Sequence, residues 1–143
     1  MPYRYLEHIA TADAAFEATG NTAEEMFIAA ADATLGIMIE DASSLPLNEE
    51  FSFRIEAKDL EMLLFDFLQE LIFVKDARGL LLKVNRVHIE TGAVWLKLAA
   101  KAWAAPLGHV REQLLRDVKA VTFHKFMVRQ DDSRWTATVV LDI

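Results

Sequence analysis

Cysteine is missing from the 143 residues. The chain therefore has no disulfide and no thiolate, which removes thiol catalysis, Cys-based zinc sites and the main argument for secretion. Proline and glycine are sparse, three and five residues. No Pro/Gly/Ser-rich linker or internal repeat divides the chain, and the one turn-rich stretch of any length is EDASSLPLNEE, residues 40–50. A single domain over residues 1–143 is the simplest organisation. A long apolar run is also lacking. LEMLLFDFLQELIFV is interrupted by Glu61, Asp66, Gln69 and Glu70, too short and too acidic to span a bilayer. Glu7, His8, Thr11 and Asp13 break up the N-terminus, so no secretory h-region is expected there. These features predict a soluble, cytoplasmic protein with no membrane partner. Positive charge is short too, with 15 Lys and Arg against 22 Asp and Glu, a net charge of -7. That sign opposes stable nucleic-acid binding and suits a cation or a partner carrying basic groups.

Catalytic signatures are absent as well. Neither GxGxxG nor GxxxxGK[ST] occurs, nor GxSxG, nor HExxH. The four histidines, His8, His88, His109 and His124, lack zinc-like spacing. A self-sufficient enzyme is not indicated, and an independent metal-dependent hydrolase is the weakest functional reading.

What is present is a well-patterned globular chain, 53% hydrophobic, enough for a proper core. DAAFEAT alternates and reads as a strand ended by Gly20 and Asn21. TAEE offers a capping box, Thr22 with Glu25, for a first helix over about residues 22–39. FSFRIEA alternates again. KDLEMLLFDFLQELIFVKDARG carries a stripe of Leu60, Leu63, Leu64, Phe67, Leu68 and Leu71 and stops at Gly79, a second helix. LLLKVNRVHIE and AVWLKLAAKAW, joined by TG, predict a hairpin, as do VKAVTFHKFMV and RWTATVVLDI, joined by RQDDS. APLGHVREQLLRD reads either as a short helical turn or as a loop. The total is two substantial helices and about six strands clustered after them. That pattern predicts an α+β domain with a largely antiparallel or mixed sheet.

The acids carry the candidate chemistry. Asp13 opens the first predicted strand, and Asp142 sits at the end of the last, out of phase with Trp135, Ala137, Val139 and Leu141. They are either two solvated strand-end carboxylates or, with the α-carboxylate of Ile143, a hard-oxygen site for Ca²⁺, Mg²⁺ or Mn²⁺. Asp59 and Glu61 complement a helix dipole. Asp66 and Glu70 share a helix face and repel mildly. Lys119 and His124 flank VTF and read most simply as a surface lysine and a half-buried strand histidine. Trp95, Trp103 and Trp135, at predicted strand positions, read as core or rim packing.

Three stretches together resemble the archease family: EHIATADAAFEATG near the start, AKDLEMLLFDFLQELIF on the second helix, and DVKAVTFHKFMV followed by a strand ending LDI. The resemblance extends from about residue 3 to residue 143. It implies an accessory protein of the RtcB-type RNA ligase of tRNA splicing and RNA repair, which promotes ligase guanylylation and multiple turnover without a reaction of its own. It also implies a divalent-cation site, usually Ca²⁺, at Asp13, Asp142 and Ile143. Lys119 is implied as a further functional position, with His124 and His8 as partner-facing candidates. A chaperone or modulator of RNA-modifying enzymes is the alternative within the same resemblance.

Overall fold

The computed structural model describes residues 2–7 and 13–143; His8, Thr11 and Ala12 lie outside the described residues. In chain order the elements are β1 (Tyr3–Leu6), β2 (Asp13–Gly20), α1 (Ala23–Met38), β3 (Glu49–Ala57), α2 (Leu60–Arg78), β4 (Leu80–Thr91), β5 (Leu96–Pro106), β6 (Ala120–Asp131) and β7 (Arg134–Asp142). The fold is α+β and every strand pair is antiparallel. The strands form two sheets, of order β1-β2-β7-β6 and β3-β5-β4. Adjacency in sequence shows that each hairpin pairs with itself. It does not show that one hairpin goes to β2 and the other to β3, and hence one sheet was the simpler expectation. β1 is the seventh strand. Its four residues pair with β2 alone, too short a stretch for alternation to mark it.

Local chemistry sets the helix bounds. The Thr22 hydroxyl accepts the Glu25 N–H at 3.1 Å, and the Asp59 carboxylate accepts the Met62 N–H at 2.8 Å. Both helices thus begin on a side-chain cap. Gly79 ends α2 in the left-handed region, φ 64°, its N–H on the Lys75 carbonyl. Gly20 has a different reason to be glycine. A Cβ there would sit 2.6 Å from the Met26 nitrogen, because the first turn of α1 backs onto the end of β2.

α1 is buried on nearly all sides, at Met26, Phe27, Ala29–Ala31, Ala33–Leu35 and Met38. It packs on β2 of one sheet and β4 of the other, while α2 packs on β3, β4 and β6. Alanines let both sheets approach α1 closely. Phe27 and Phe67, with ring centroids 5.4 Å apart, join the helices within the core.

The stretch 105–117 becomes the end of β5 and two 3-10 turns, Leu107–His109 and Arg111–Gln113. It is then held along the end of α1. The Leu115 N–H donates to the Met38 carbonyl and the Glu40 N–H to Gln113, both at 2.9 Å. Among the described residues, no helix is long and apolar enough to cross a membrane.

Candidate functional site

The register of β2 on β7 runs from Asp13↔Asp142 to Gly20↔Trp135. Residues directly opposite in an antiparallel pair project to the same side, with Cβ atoms about 5 Å apart. The two acids thus share one end and one face of the first sheet, and both are half-buried. β6 flanks β7 on its other side, with Ala120 opposite Asp142. The Lys119 N–H donates to the Asp142 carbonyl at 2.8 Å, and continuing that register puts Lys119 across from Ile143. β7 is therefore an interior strand up to its last residues. The Ile143 side chain, alternate to Asp142, is half-buried against the core and anchors the end.

Two carboxylates set directly opposite one another repel. Among the described residues neither is in an ion pair or a side-chain hydrogen bond, and the Lys119 ammonium is exposed and in no ion pair within 4.0 Å. No group of three His, Cys, Asp or Glu side chains converges among them either. Half-buried carboxylates lacking a counter-charge are a donor set that fits a hard divalent cation. A cavity of about 500 Å³ opens beside Asp13, lined by Tyr5, Gly36, Ile37, Leu115 and Arg116 among others.

His124 is not brought to the acids. Pairing of β6 on β7 jumps from Thr122↔Val140 to Met127↔Thr138, and Lys125 takes a positive φ of 54°. The histidine lies four residues along from Ala120, on the order of 13 Å of strand, and is exposed rather than half-buried as its strand position implied. The reason for the bulge is aromatic. Phe65 of α2 stacks on Phe123 at 4.0 Å and meets Phe126 edge-on at 5.6 Å, so both rings must face the helix, which strict alternation forbids. The tryptophans divide. Trp103 and Trp135 are half-buried strand residues, but Trp95 sits in the β4–β5 turn, 43% exposed, its carbonyl accepting the Gly92 N–H.

Lys75 is the residue sequence reasoning missed. It is only 5% exposed, and its ammonium donates to Asp76 at 2.6 Å, to the Val118 carbonyl at 2.9 Å and to Asp117. Burial pulls its pKa down, but the hydrogen bonds to Asp117 and Asp76 outweigh this, and the net shift is upward. The tie fixes residues 117 and 118 immediately before Lys119, and so sets where β6 begins beside Asp142. The signal was available: Lys75 continues the Leu64, Leu68, Leu71 stripe one turn on, a cation at an apolar position.

The mouth of the Asp13 cavity is pinned by Tyr5, whose hydroxyl donates to the Ala33 carbonyl at 2.8 Å. Burial first, then its neighbour Tyr3, pushes that phenol far above its ordinary range. It stays a neutral donor.

Compared with known proteins, residues 3–143 match the archease protein family (MTH1598/TM1083). A protein archease of Pyrococcus abyssi is 33% identical over 142 residues, covering 99% of this chain and 98% of that protein. That of Methanopyrus kandleri is 35% identical, covering all of both. The solution structure of Methanobacterium thermoautotrophicum protein 1598 superimposes with a TM-score of 0.84 at 32% identity, covering 99% of each chain. A crystal structure from Thermotoga maritima, described as an archease and possible chaperone, shares the fold at TM-score 0.62 and 23% identity, covering 96% of this chain and 94% of that one.

Proposed function

The chain belongs to the archease family, and from that premise we propose that it is an accessory protein of an RtcB-type RNA ligase in tRNA splicing and RNA repair. In this role it promotes ligase guanylylation and multiple turnover in the cytoplasm and is not itself a catalyst. The observation that supports this reading is the direct pairing of Asp13 with Asp142 at one end of the first sheet. An acidic tip of this kind suits an approach to a basic, metal-containing active site, and it fits the net charge of -7.

Asp13, Asp142 and the α-carboxylate of Ile143 would hold a divalent cation, calcium first, with magnesium or manganese as alternatives. Bound there, the cation supplies the charge neutralisation that the pair otherwise lacks. The chain's own residues do the positioning. β2 and β6 fix Asp142 from both sides, Ile143 anchors the end in the core, and Lys119 holds the Asp142 backbone through its own N–H. His124, exposed on the β6 bulge, faces the partner. His8 is kept as a partner-facing residue on the resemblance alone.

The test is a guanylylation assay on a cognate ligase with GTP and Mn²⁺. The protein should raise the rate of covalent GMP attachment, Asp142→Asn should lose most of that effect while staying folded, and the protein alone should neither join RNA nor hydrolyse GTP. No stimulation at any ratio would overturn the reading. The alternative, a chaperone or modulator of RNA-modifying enzymes, predicts suppressed aggregation of those enzymes with guanylylation unchanged.

A further inference from the structure

The outer face of the second sheet carries a charge pattern that the acidic tip does not use. Alternation puts Phe51, Phe53 and Ile55 of β3 against the core and turns Ser52, Arg54 and Glu56 outward, all three exposed. The β5 register aligns these into rows across the three strands. Ser52, Lys101 and Arg86 form one row, Arg54, Ala99 and His88 the next, and Glu56, Lys97 and Glu90 the third.

The third row carries two acids and one lysine, with Lys97 3.8 Å from Glu56 and Glu90 3.4 Å from His88 of the second row. Beyond the first row stand Glu50, Trp103 and Lys83, of which Lys83 is taken by Asp32 of α1 at 2.5 Å and Glu50 is exposed. Between these two acid-bearing rows Arg54, Arg86 and Lys101 pair with no carboxylate among the described residues. A depression of about 340 Å³ is lined by the same three cations with Ser52, His88 and Ala99. Like charges directly opposite across strands are unfavourable, and Arg86 faces Lys101 directly.

We propose that this depression is a binding site for a compact polyphosphate group, such as the di- or triphosphate of a nucleotide. Arginines supply forked donors matched to phosphate oxygens, and the lysine and the serine hydroxyl complete a set that one multiply charged group can use at once. Extent argues for compactness. Two rows on three strands span about 7 by 10 Å, with the Glu56–Lys97–Glu90 row on one side and α1 on the other. A long polyanion leaving that island would cross a protein of net charge -7. The site lies on the sheet opposed to the Asp13–Asp142 pair and does not depend on the accessory role proposed above.

The experiment titrates the ¹⁵N-labelled full chain with sodium tripolyphosphate at low salt. Amide shifts should be saturable and cluster at Ser52, Arg54, Arg86, His88, Ala99 and Lys101. Calorimetry should show Arg86→Gln and Lys101→Gln each weakening binding on the order of tenfold. The Arg54→Gln/Arg86→Gln/Lys101→Gln triple variant should abolish it. Lys97→Gln, on the third row between two glutamates, should change it by less than about twofold. A twelve-residue oligouridylate and a hexaglutamate peptide serve as the other arms. Shifts elsewhere, equal losses in Lys97→Gln, oligouridylate affinity that rises with length above tripolyphosphate, or equally tight hexaglutamate binding would each overturn the compact-polyphosphate site.

Discussion

At one end of the first sheet Asp13 and Asp142 oppose each other as like charges. On the outer face of the second, Arg86 and Lys101 do the same with Arg54 alongside. The register is the same kind in both places, but the setting differs. The acids come from the two ends of the chain, are half-buried, and lie next to strands that cannot shift without unpairing β7. The cations come from neighbouring strands of one sheet and are exposed, so water and salt screen them. A half-buried pair held rigidly favours one small hard ion. An exposed cationic island favours a larger anion that brings its own hydration and adapts to flexible arginines. A net charge of -7 describes neither region.

The largest effect should come from removing what assembles the acidic end. Lys75→Met deletes three hydrogen-bonded contacts of a buried ammonium and strands the Val118 carbonyl, a loss on the order of 3 kcal/mol by urea unfolding at pH 8. Because the folded pKa of Lys75 is raised above the ordinary 10.5, its contribution is full below that value and fades as pH rises through the folded one. The gap between wild type and Lys75→Met should hold at pH 8 and shrink as pH rises through the raised folded value. A gap unchanged with pH would mean that packing, not charge, is what Lys75 supplies.

Turning the acidic pair into an ion pair sharpens the comparison directly. In Ca²⁺-free buffer Asp13→Lys, opposite Asp142, should raise stability by about 1 kcal/mol. It should also erase any Ca²⁺-dependent rise in melting temperature, the sign of a stabilisation by RT ln(1 + [L]/Kd) if the native pair binds the ion. Extending the chain past Ile143 with a tag leaves both acids but converts the terminal carboxylate to an amide. If tagged and untagged proteins respond to Ca²⁺ alike, Ile143 is not a ligand.

The equivalent change on the second sheet should be weaker. Arg86→Glu gives Lys101 an opposite charge and should stabilise by about 0.5 kcal/mol at low salt, vanishing near 1 M salt. Equal gains on the two sheets would erase the distinction between rigid, half-buried and exposed, screened repulsion. The smallest effect concerns Asp66, whose pKa burial raises. Its charged form is the unfavourable one, so the cost is present at neutral pH and relieved as pH falls through the folded value. Asp66→Asn should gain on the order of 0.3 kcal/mol at pH 7, partly from lost repulsion with Glu70, and nothing at pH 3.

Sequence reasoning succeeded where one short window contains the whole cause. Thr22 with Glu25, Asp59 at the start of α2 and Gly79 at its end are local hydrogen-bond and dihedral facts. The closing hairpin was legible from the alternation on both sides of RQDDS, and the structure narrows that connection to two residues, with Asp132 at φ 55° carrying the reversal between Asp131 and Arg134. His124 was misread because the bulge that lifts it answers to Phe65, on another element. The segment after β5 was ambiguous because its partners are Met38, Ile39 and Lys75, none of them nearby in sequence.

The sequence by itself determined the two helices, most strands, the acidic balance and the presence of unexplained carboxylates near both ends. These follow from periodicity, capping and composition, which act over a few residues or are simply counted. The tertiary structure decided that Asp13 meets Asp142, that β7 lies inside a sheet rather than at its edge, that a lysine is buried, and that three cations of an acidic chain gather on one face. Each of these depends on which strand pairs with which and in what register. A one-residue slip would send every side chain of a strand to the opposite face. That choice is made by burying Phe16, Val139 and Leu141 against the helices, a sum over the whole core that no short window contains.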